Sequence, residues 1–249
     1  MNRLTGDNVA FYRKHGYWLY RQPVLSDEKF SRLQDIFEEH LAEKGEKLSD
    51  ELDTPHFRDP RLLEFLLADE VLDLVEPILG PDIVLWSSHF ISKEPFHGRE
   101  TPWHEDSAYW RGRFDSYDRI VTVWLALDKS TRSNGCMRVI PGSHVNGFSD
   151  YVSVDTQRHT FGQAIAGVDE SQAVDFELEP NQCSLHDPRI IHGAKANTSP
   201  DRRCGYTMRF IASSVKVIAE NNPGWKIWLA RGRDWAGNHY EPRPLAGSS

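Results

Sequence analysis

Past residue 80 the chain is written as short apolar runs separated by turns, and no other feature limits its folding choices as much. Residues 83–92, 120–127, 136–140, 173–178, 183–186, 189–192 and 205–217 each have the length and content of a strand or strand piece. Gly80-Pro81-Asp82, Ser133-Asn134-Gly135, Pro141-Gly142-Ser143-His144 and Glu179-Pro180-Asn181 punctuate them as turns. The first 80 residues read differently. Phe30, Leu33, Ile36, Phe37 and Leu41 recur at helical spacing over 26–42. A second helical stretch covers 60–79, with a break near Ala68-Asp69. A short helix over 7–16 has Asp7 as its cap and Gly16 as its stop, and an aromatic strand over 17–20 follows it. Helices first and strands afterwards predict a mainly β fold with flanking helices (α+β), a barrel or jelly roll buttressed by its N-terminal helices.

The 249 residues suit one domain. It divides into mostly helical support over 1–80, a β core over 81–217 and a C-terminal extension over 218–249. Trp225, Trp228 and Trp235 of that extension read as packing residues. Residues 145–171 lack periodicity and are long enough for a lid-like insertion. The polar stretch 46–54 reads as a surface loop. A net charge of -8, with no Lys/Arg-rich run, argues against nucleic acid as the main partner. Three widely spaced cysteines, Cys136, Cys183 and Cys204, argue against a disulfide framework and against a Cys-based zinc site. They fit a reducing, cytoplasmic setting. The N-terminus lacks the apolar core of a signal peptide, and no apolar run approaches the length of a membrane span.

Chemistry concentrates in 101–110, Thr-Pro-Trp-His-Glu-Asp-Ser-Ala-Tyr-Trp. On an extended strand His104 and Asp106 point to the same face, so an imidazole nitrogen and a carboxylate oxygen converge on one point. A further ligand would complete a two-His, one-carboxylate facial triad, which holds Fe(II) and leaves positions open for oxygen and a cosubstrate. A His-x-Asp tripeptide also arises by chance, and its plain reading is a buried structural His beside a surface Asp. The second half of the site changes those odds. His192 closes the run with Ile190 and Ile191, and Arg203 comes eleven residues later. A His at a strand end and an Arg on the next strand can face one cavity. The Arg fork matches a carboxylate in bidentate fashion. His186, in Leu-His-Asp-Pro, is the rival of His192, and its spacing to Arg203 suits the role less well.

Taken together these pieces resemble the phytanoyl-CoA dioxygenase family of Fe(II)/2-oxoglutarate oxygenases. The matching segments are Trp103-His104-Glu105-Asp106 with Tyr109-Trp110, then Val123-Trp124-Leu125-Ala126-Leu127, Asn134-Gly135-Cys136-Met137 and Pro141-Gly142-Ser143-His144. His192-Gly193 with Asn197, Ser199 and Arg203 completes the set. The resemblance implies a double-stranded β-helix, a cupin-like jelly roll. It implies His104, Asp106 and His192 as iron ligands, and Arg203 as the partner of the 2-oxoglutarate C5 carboxylate with Trp124 lining that pocket. It implies O2 as co-reactant, ascorbate as a stimulant, and oxidation of a C–H bond with release of succinate and CO2. Relatives that carry Ser two residues after the distal His use its hydroxyl on the cosubstrate. Here Ala194 stands at that position, and Thr122, Thr207 or Ser199 are the candidates to replace it.

Two other functions compete with this one. A cupin-like metal-dependent hydrolase or isomerase would use the same three ligands on zinc or manganese. A non-catalytic ligand-binding barrel would not need them. The expected substrate is a small-molecule metabolite, because the acidic balance speaks against the basic mouth an acyl-CoA asks for, although a local patch such as Arg111, Arg113 and Arg119 could serve. Tyr109 and Trp110 read either as core aromatics or as a substrate wall. His97 is near enough to the motif to touch substrate. Arg209 reads as a surface or structural ion-pair residue, Glu105 as pointing away from the site, and Lys93 as lining the mouth.

Overall fold

A computed structural model describes residues 3–45, 48–49 and 51–243. Glu46, Lys47 and Asp50 of the expected surface loop, and 244–249 of the C-terminal extension, lie outside them. In chain order the elements are α1 (Gly6–His15), β1 (Tyr17–Tyr20), α2 (Asp27–Ala42), β2 (Leu52–Asp53), α3 (Leu63–Leu66), α4 (Asp69–Leu79), β3 (Ile83–Lys93), β4 (Thr101–His104) and α5 (Asp106–Tyr109). They continue as β5 (Ile120–Ala126), β6 (Met137–Val139), β7 (Tyr151–Ser153), β8 (Gln163–Ile165), β9 (Val174–Asp175), β10 (Cys183–His186), β11 (His192–Ala194), β12 (Arg203–Ala212) and β13 (Trp228–Arg231).

A larger sheet runs β1-β10-β5-β12-β3-β13, with β2 also on β3, and a smaller one runs β4-β11-β6-β9. All the pairings are antiparallel. This is the jelly roll that the helix-then-strand order predicts, in the double-stranded β-helix form that the family resemblance implies. Every residue of β5 and of β12 is buried. Covered on both faces, β5 reads as a nearly continuous apolar run, while β12 alternates Cys204, Tyr206, Met208 and Phe210 in the core with Arg203, Thr207 and Arg209 on the cavity. One cover is helical: Phe37 of α2 meets Phe90 of β3 at 5.2 Å between ring centroids, and α4 packs on β3, β5 and β12. The opposite face looks into the cavity described below.

Local corrections have local causes. Helix α1 is capped by Thr5 rather than Asp7, because Thr5 and Asn8 form a reciprocal capping box that starts the helix two residues earlier. The expected strand over 173–178 is paired only at Val174–Asp175, with a single bridge from Leu178 to Ser130. The run 189–192 is not a strand; His192 opens β11 instead of closing an element. The insertion 145–171 contains the hairpin β7-β8, whose residues are largely exposed and so carry no apolar alternation. The expected surface loop gives Leu52–Asp53 to the sheet as β2. The C-terminal extension adds β13 to the edge of β3.

Beneath this sheet lies a buried polar chain. The Tyr206 hydroxyl donates to Ser88 Oγ at 2.9 Å, and Ser88 Oγ is 2.7 Å from His56 Nδ1. Burial, with Lys226 adding to it, pushes the His56 pKa from 6.5 down to about 3. The unfolded chain therefore takes this proton first. Stability from a neutral His56 is complete above about pH 6.5 and is lost as pH falls towards 3. Between pH 6 and 4, His56→Asn is expected to flatten the fall of unfolding free energy by about 1.4 kcal/mol per pH unit, one proton's worth. Urea titrations at half-unit pH steps measure it; parallel slopes for variant and wild type rule out the buried neutral imidazole.

Candidate active site

Strands β4 and β11 pair with His104 directly opposite His192. Opposed residues in such a ladder hold their Cβ atoms about 4.5–5.5 Å apart, and here the imidazole centroids are 4.0 Å apart. The backbone then fixes each ring. His104 Nδ1 is 2.8 Å from the Pro102 carbonyl, and His192 Nδ1 is 2.9 Å from the Ile190 carbonyl. A carbonyl only accepts, so each Nδ1 carries the hydrogen and each Nε2 keeps its lone pair. Both Nε2 atoms face Asp106 Oδ1, at 3.8 and 3.9 Å. Two bonds of about 2.1 Å span up to about 4.2 Å, so that oxygen and either nitrogen can share one ion.

Asp106 is not on the strand as expected; it opens α5. The same-face geometry survives because Glu105 between them is extended, at φ -118 and ψ 128. Burial disfavours the Asp106 carboxylate, but the Arg209 guanidinium, with smaller contributions from the neighbouring imidazoles, outweighs it and brings the pKa to about 2. Burial, aided by His192, lowers the His104 pKa to about 3. A charged carboxylate and a neutral imidazole are the ligand states. Two imidazoles, one carboxylate and an adjoining cavity fit an Fe(II) ion with open positions.

The cavity measures about 350 Å³. Arg203, at the start of β12, is buried in its lining, and its Nε and Nη2 donate to the Gly135 carbonyl at 3.1 and 2.7 Å. Gly135 has φ +79, and a Cβ there would stand 2.3 Å from the Lys195 carbonyl, so the Asn-Gly turn that holds Arg203 tolerates no side chain. Trp124 of β5 lies 5.4 Å beneath the Arg203 guanidinium. Its indole covers Gly205, where a Cβ would meet it at 2.0 Å. Arg202 points away from the cavity, to Asp128 and Glu38.

Tyr109 and Trp110 both line the cavity, Tyr109 44% exposed and Trp110 buried. His97 lies exposed in the turn after β3 and is not among the lining residues. His186 lines the cavity too, its ring 5.3 Å from His192 and its Nδ1 without a hydrogen-bond partner. Of the three candidates to replace a hydroxyl at Ala194, only Thr207 lines the cavity. Ser199 bonds to Asn197 and Asp201 in a loop, and Thr122 is buried in β5. Lys93 is drawn inward to the Arg99 and Lys195 carbonyls. Glu105 turns from the metal cluster as expected, but it is buried and accepts from the Ser149 hydroxyl at 2.6 Å, tying down the insertion.

Arg209, read in the sequence as a surface or structural ion-pair residue, Trp225, read as packing, and Phe161, given no role, all belong to the cavity wall. Arg209 reaches the cavity, 3.6 Å from Asp106 Oδ2. Trp225 of the C-terminal extension stacks on Trp86 at 5.2 Å. Phe161 of the insertion packs edge-on against His104 at 5.0 Å. Only Arg209 had a signal: it shares strand parity with Arg203. Arg111, Arg113 and Arg119 go separate ways, over Phe148, over Trp225 and to the Leu79 carbonyl.

A jelly roll with two histidines and an aspartate gathered at its cavity defines the class, the non-haem Fe(II)/2-oxoglutarate-dependent oxygenases. The family model for phytanoyl-CoA dioxygenase (PhyH) matches residues 12–205. A probable phytanoyl-CoA dioxygenase of Caenorhabditis elegans is 30% identical over 248 residues, covering 86% of this chain and 78% of that protein. The peroxisomal phytanoyl-CoA dioxygenase of Homo sapiens is 25% identical, covering 87% and 71%. Among solved structures, the non-heme monooxygenase ThoJ in its apo form superposes with a TM-score of 0.79 at 25% identity, covering 96% of this chain and 88% of that one. EvdO2 from Micromonospora carbonacea var. aurantiaca, complexed with 2-oxoglutarate, shares the fold at TM-score 0.71 and 23% identity, covering 88% and 95%. The chain belongs to the phytanoyl-CoA dioxygenase family and is an Fe(II)/2-oxoglutarate-dependent dioxygenase. Among the described residues, no helix is long and apolar enough to cross a membrane.

Proposed function

We propose that His104, Asp106 and His192 hold the iron, that Arg203 holds the C5 carboxylate of 2-oxoglutarate above Trp124, and that the enzyme hydroxylates a C–H bond of a small metabolite. The observation that carries this is the register: His104 faces His192 across two strands, and both Nε2 atoms face one Asp106 oxygen. Iron with bound 2-oxoglutarate supplies the oxidising chemistry, in which 2-oxoglutarate and O2 yield succinate and CO2 and one oxygen atom enters the substrate.

The remaining roles belong to the chain. The Pro102 and Ile190 carbonyls keep both Nδ1 protons in place, so each imidazole stays in its ligand tautomer. Gly135 and Trp124 fix the Arg203 fork before the cosubstrate arrives. Thr207 stands on the same strand face as Arg203, but its hydroxyl donates to the His89 carbonyl at 3.0 Å, so the hydroxyl that Ala194 lacks is not replaced from there and Arg203 carries the carboxylate. Trp110, Trp86, Tyr109 and Phe161 form apolar walls that exclude water from the reacting centre. The described residues act as one domain, since β13 of the extension pairs with β3 of the sheet that carries Arg203. Three free, buried thiols suit the reducing cytoplasmic setting.

The test is succinate formation on adding Fe(II), ascorbate and 2-oxoglutarate, with metal affinity followed separately by Mn(II) titration. A chain that binds Mn(II) but produces no succinate, alone or with any metabolite tried, speaks against this reading.

A further inference from the structure

The inward face of β12 carries two guanidiniums, and the cosubstrate accounts for one of them. Alternate residues of a strand share a face. Arg203, Thr207 and Arg209 line the cavity, with Gly205 between them under Trp124. Six residues of strand separate the two arginine Cα atoms by about 20 Å. A five-carbon dianion is much shorter, so a molecule held at Arg203 leaves Arg209 to something else.

Arg209 is buried, its side chain only 11% exposed. Its surroundings satisfy it poorly. Nη1 reaches only Ser87 Oγ, at 3.5 Å, and Nε has no hydrogen-bond partner. Asp106 Oδ2 stands 3.6 Å from Nε, beyond hydrogen-bond range. Its other oxygen, Oδ1, faces the two imidazoles. A buried guanidinium with one long hydrogen bond and a carboxylate just out of hydrogen-bond reach leaves donors unused, which marks the position as one that a ligand completes.

Charge and shape say which ligand. The lining holds the guanidiniums of Arg113, Arg203 and Arg209 against the carboxylates of Asp53 and Asp106. A divalent ion and a dianionic cosubstrate cancel each other, so one positive charge remains. Arg113 is already engaged, stacked at 4.0 Å on Trp225 and donating to Asn222 Oδ1 at 2.6 Å. Arg209 lies 5.2 Å over the Trp110 ring, beside the walls of Trp86 and Tyr109. At about 350 Å³ the cavity is at the small end of ligand sites, so what binds beside the cosubstrate is compact.

We propose that Arg209 anchors the substrate through a carboxylate: the substrate is a compact organic acid with a flat apolar body, which lies against Trp110 with its reacting carbon towards His104, Asp106 and His192. The planar fork takes a carboxylate in bidentate fashion, and the single positive charge left in the lining balances a monoanionic carboxylate but not a dianionic phosphate. This rests on the iron and cosubstrate reading above.

The test uses the full chain loaded with Mn(II) and 2-oxoglutarate, titrated calorimetrically with phenylacetate, phenylacetamide and phenyl phosphate. Wild type is expected to prefer phenylacetate over both others by at least tenfold. Arg209→Gln is expected to weaken phenylacetate by on the order of ten- to a hundredfold and to leave phenylacetamide unchanged. Arg209→Lys, which keeps the charge without the fork, falls in between. Mn(II) and 2-oxoglutarate affinities stay within about threefold in both variants. Equal binding of the acid and its amide overturns the proposal, and so does tighter binding of the phosphate. Arg209→Gln weakening Mn(II) or 2-oxoglutarate as much as phenylacetate overturns it as well, since Arg209 would then orient Asp106 or hold the cosubstrate. A wild-type chain that takes up neither Mn(II) nor 2-oxoglutarate fails before any acid is added, which separates that failure from the others.

Discussion

Asp106→Ala and His192→Ala are each expected to abolish turnover and to weaken Fe(II) or Mn(II) binding by at least about a hundredfold. Removing even the outer hydrogen-bond partner of a metal ligand costs about ten- to a hundredfold, and these changes remove a ligand itself. The fold should persist, since neither side chain belongs to the apolar core beneath the larger sheet. His186→Ala is the control. His186 is buried beside the cluster, 5.3 Å from the His192 ring, but it is not one of the three residues whose ligand atoms converge. Its removal should leave metal affinity within a few-fold. A Mn(II) titration in which His192→Ala binds normally and His186→Ala does not would assign the distal ligand to the wrong histidine.

The order of elements was legible because burial writes itself into composition. β5 lies between helices and cavity and appears as an almost unbroken apolar run, whereas β12 keeps its apolar residues on the core face and sets Arg203, Thr207 and Arg209 towards the cavity. Helix α2 shows its stripe of Phe30, Leu33, Ile36 and Phe37 because one face meets the sheet. Where burial is partial the pattern fades. Hairpin β7-β8 is mostly exposed, and β9 is paired over two residues, so neither shows a strand period.

Residues brought together by strand pairing were legible only in part. His104 and Asp106 are two positions apart, and an extended Glu105 is enough to align them even though α5 begins at Asp106. That His192 faces His104 depends on the β4-β11 register, which no local pattern records. Arg209 shows the gap most clearly. Its parity with Arg203 was readable, but its nearness to Asp106 depends on how far β12 continues and on how α5 folds over the cavity. Trp225 arrives from the aperiodic extension, and only the pairing of β13 with β3 explains its place.

Arg203→Ala is expected to leave iron binding nearly unchanged while raising the Michaelis constant for 2-oxoglutarate by roughly thirty- to several thousand-fold. Leaving one member of a buried charge pair without its partner typically costs about 2–5 kcal/mol, and each 1.4 kcal/mol is a factor of ten. The Arg203 side chain is positioned in advance by the Gly135 carbonyl and the Trp124 face, so its affinity comes with little reorganisation. Arg203→Lys should recover only part, because an ammonium cannot reproduce the planar fork. Arg202 provides the internal comparison. It occupies the next position, turns to the other side of the sheet, and pairs with Asp128 and Glu38 over the Phe37 ring. Arg202→Ala should therefore lower the melting temperature without moving the Michaelis constant. Saturation curves for 2-oxoglutarate on the three variants decide the matter: a steep rise for Arg202→Ala with none for Arg203→Ala would place the cosubstrate on the opposite face of the sheet, and no rise for either would remove the arginine anchor altogether.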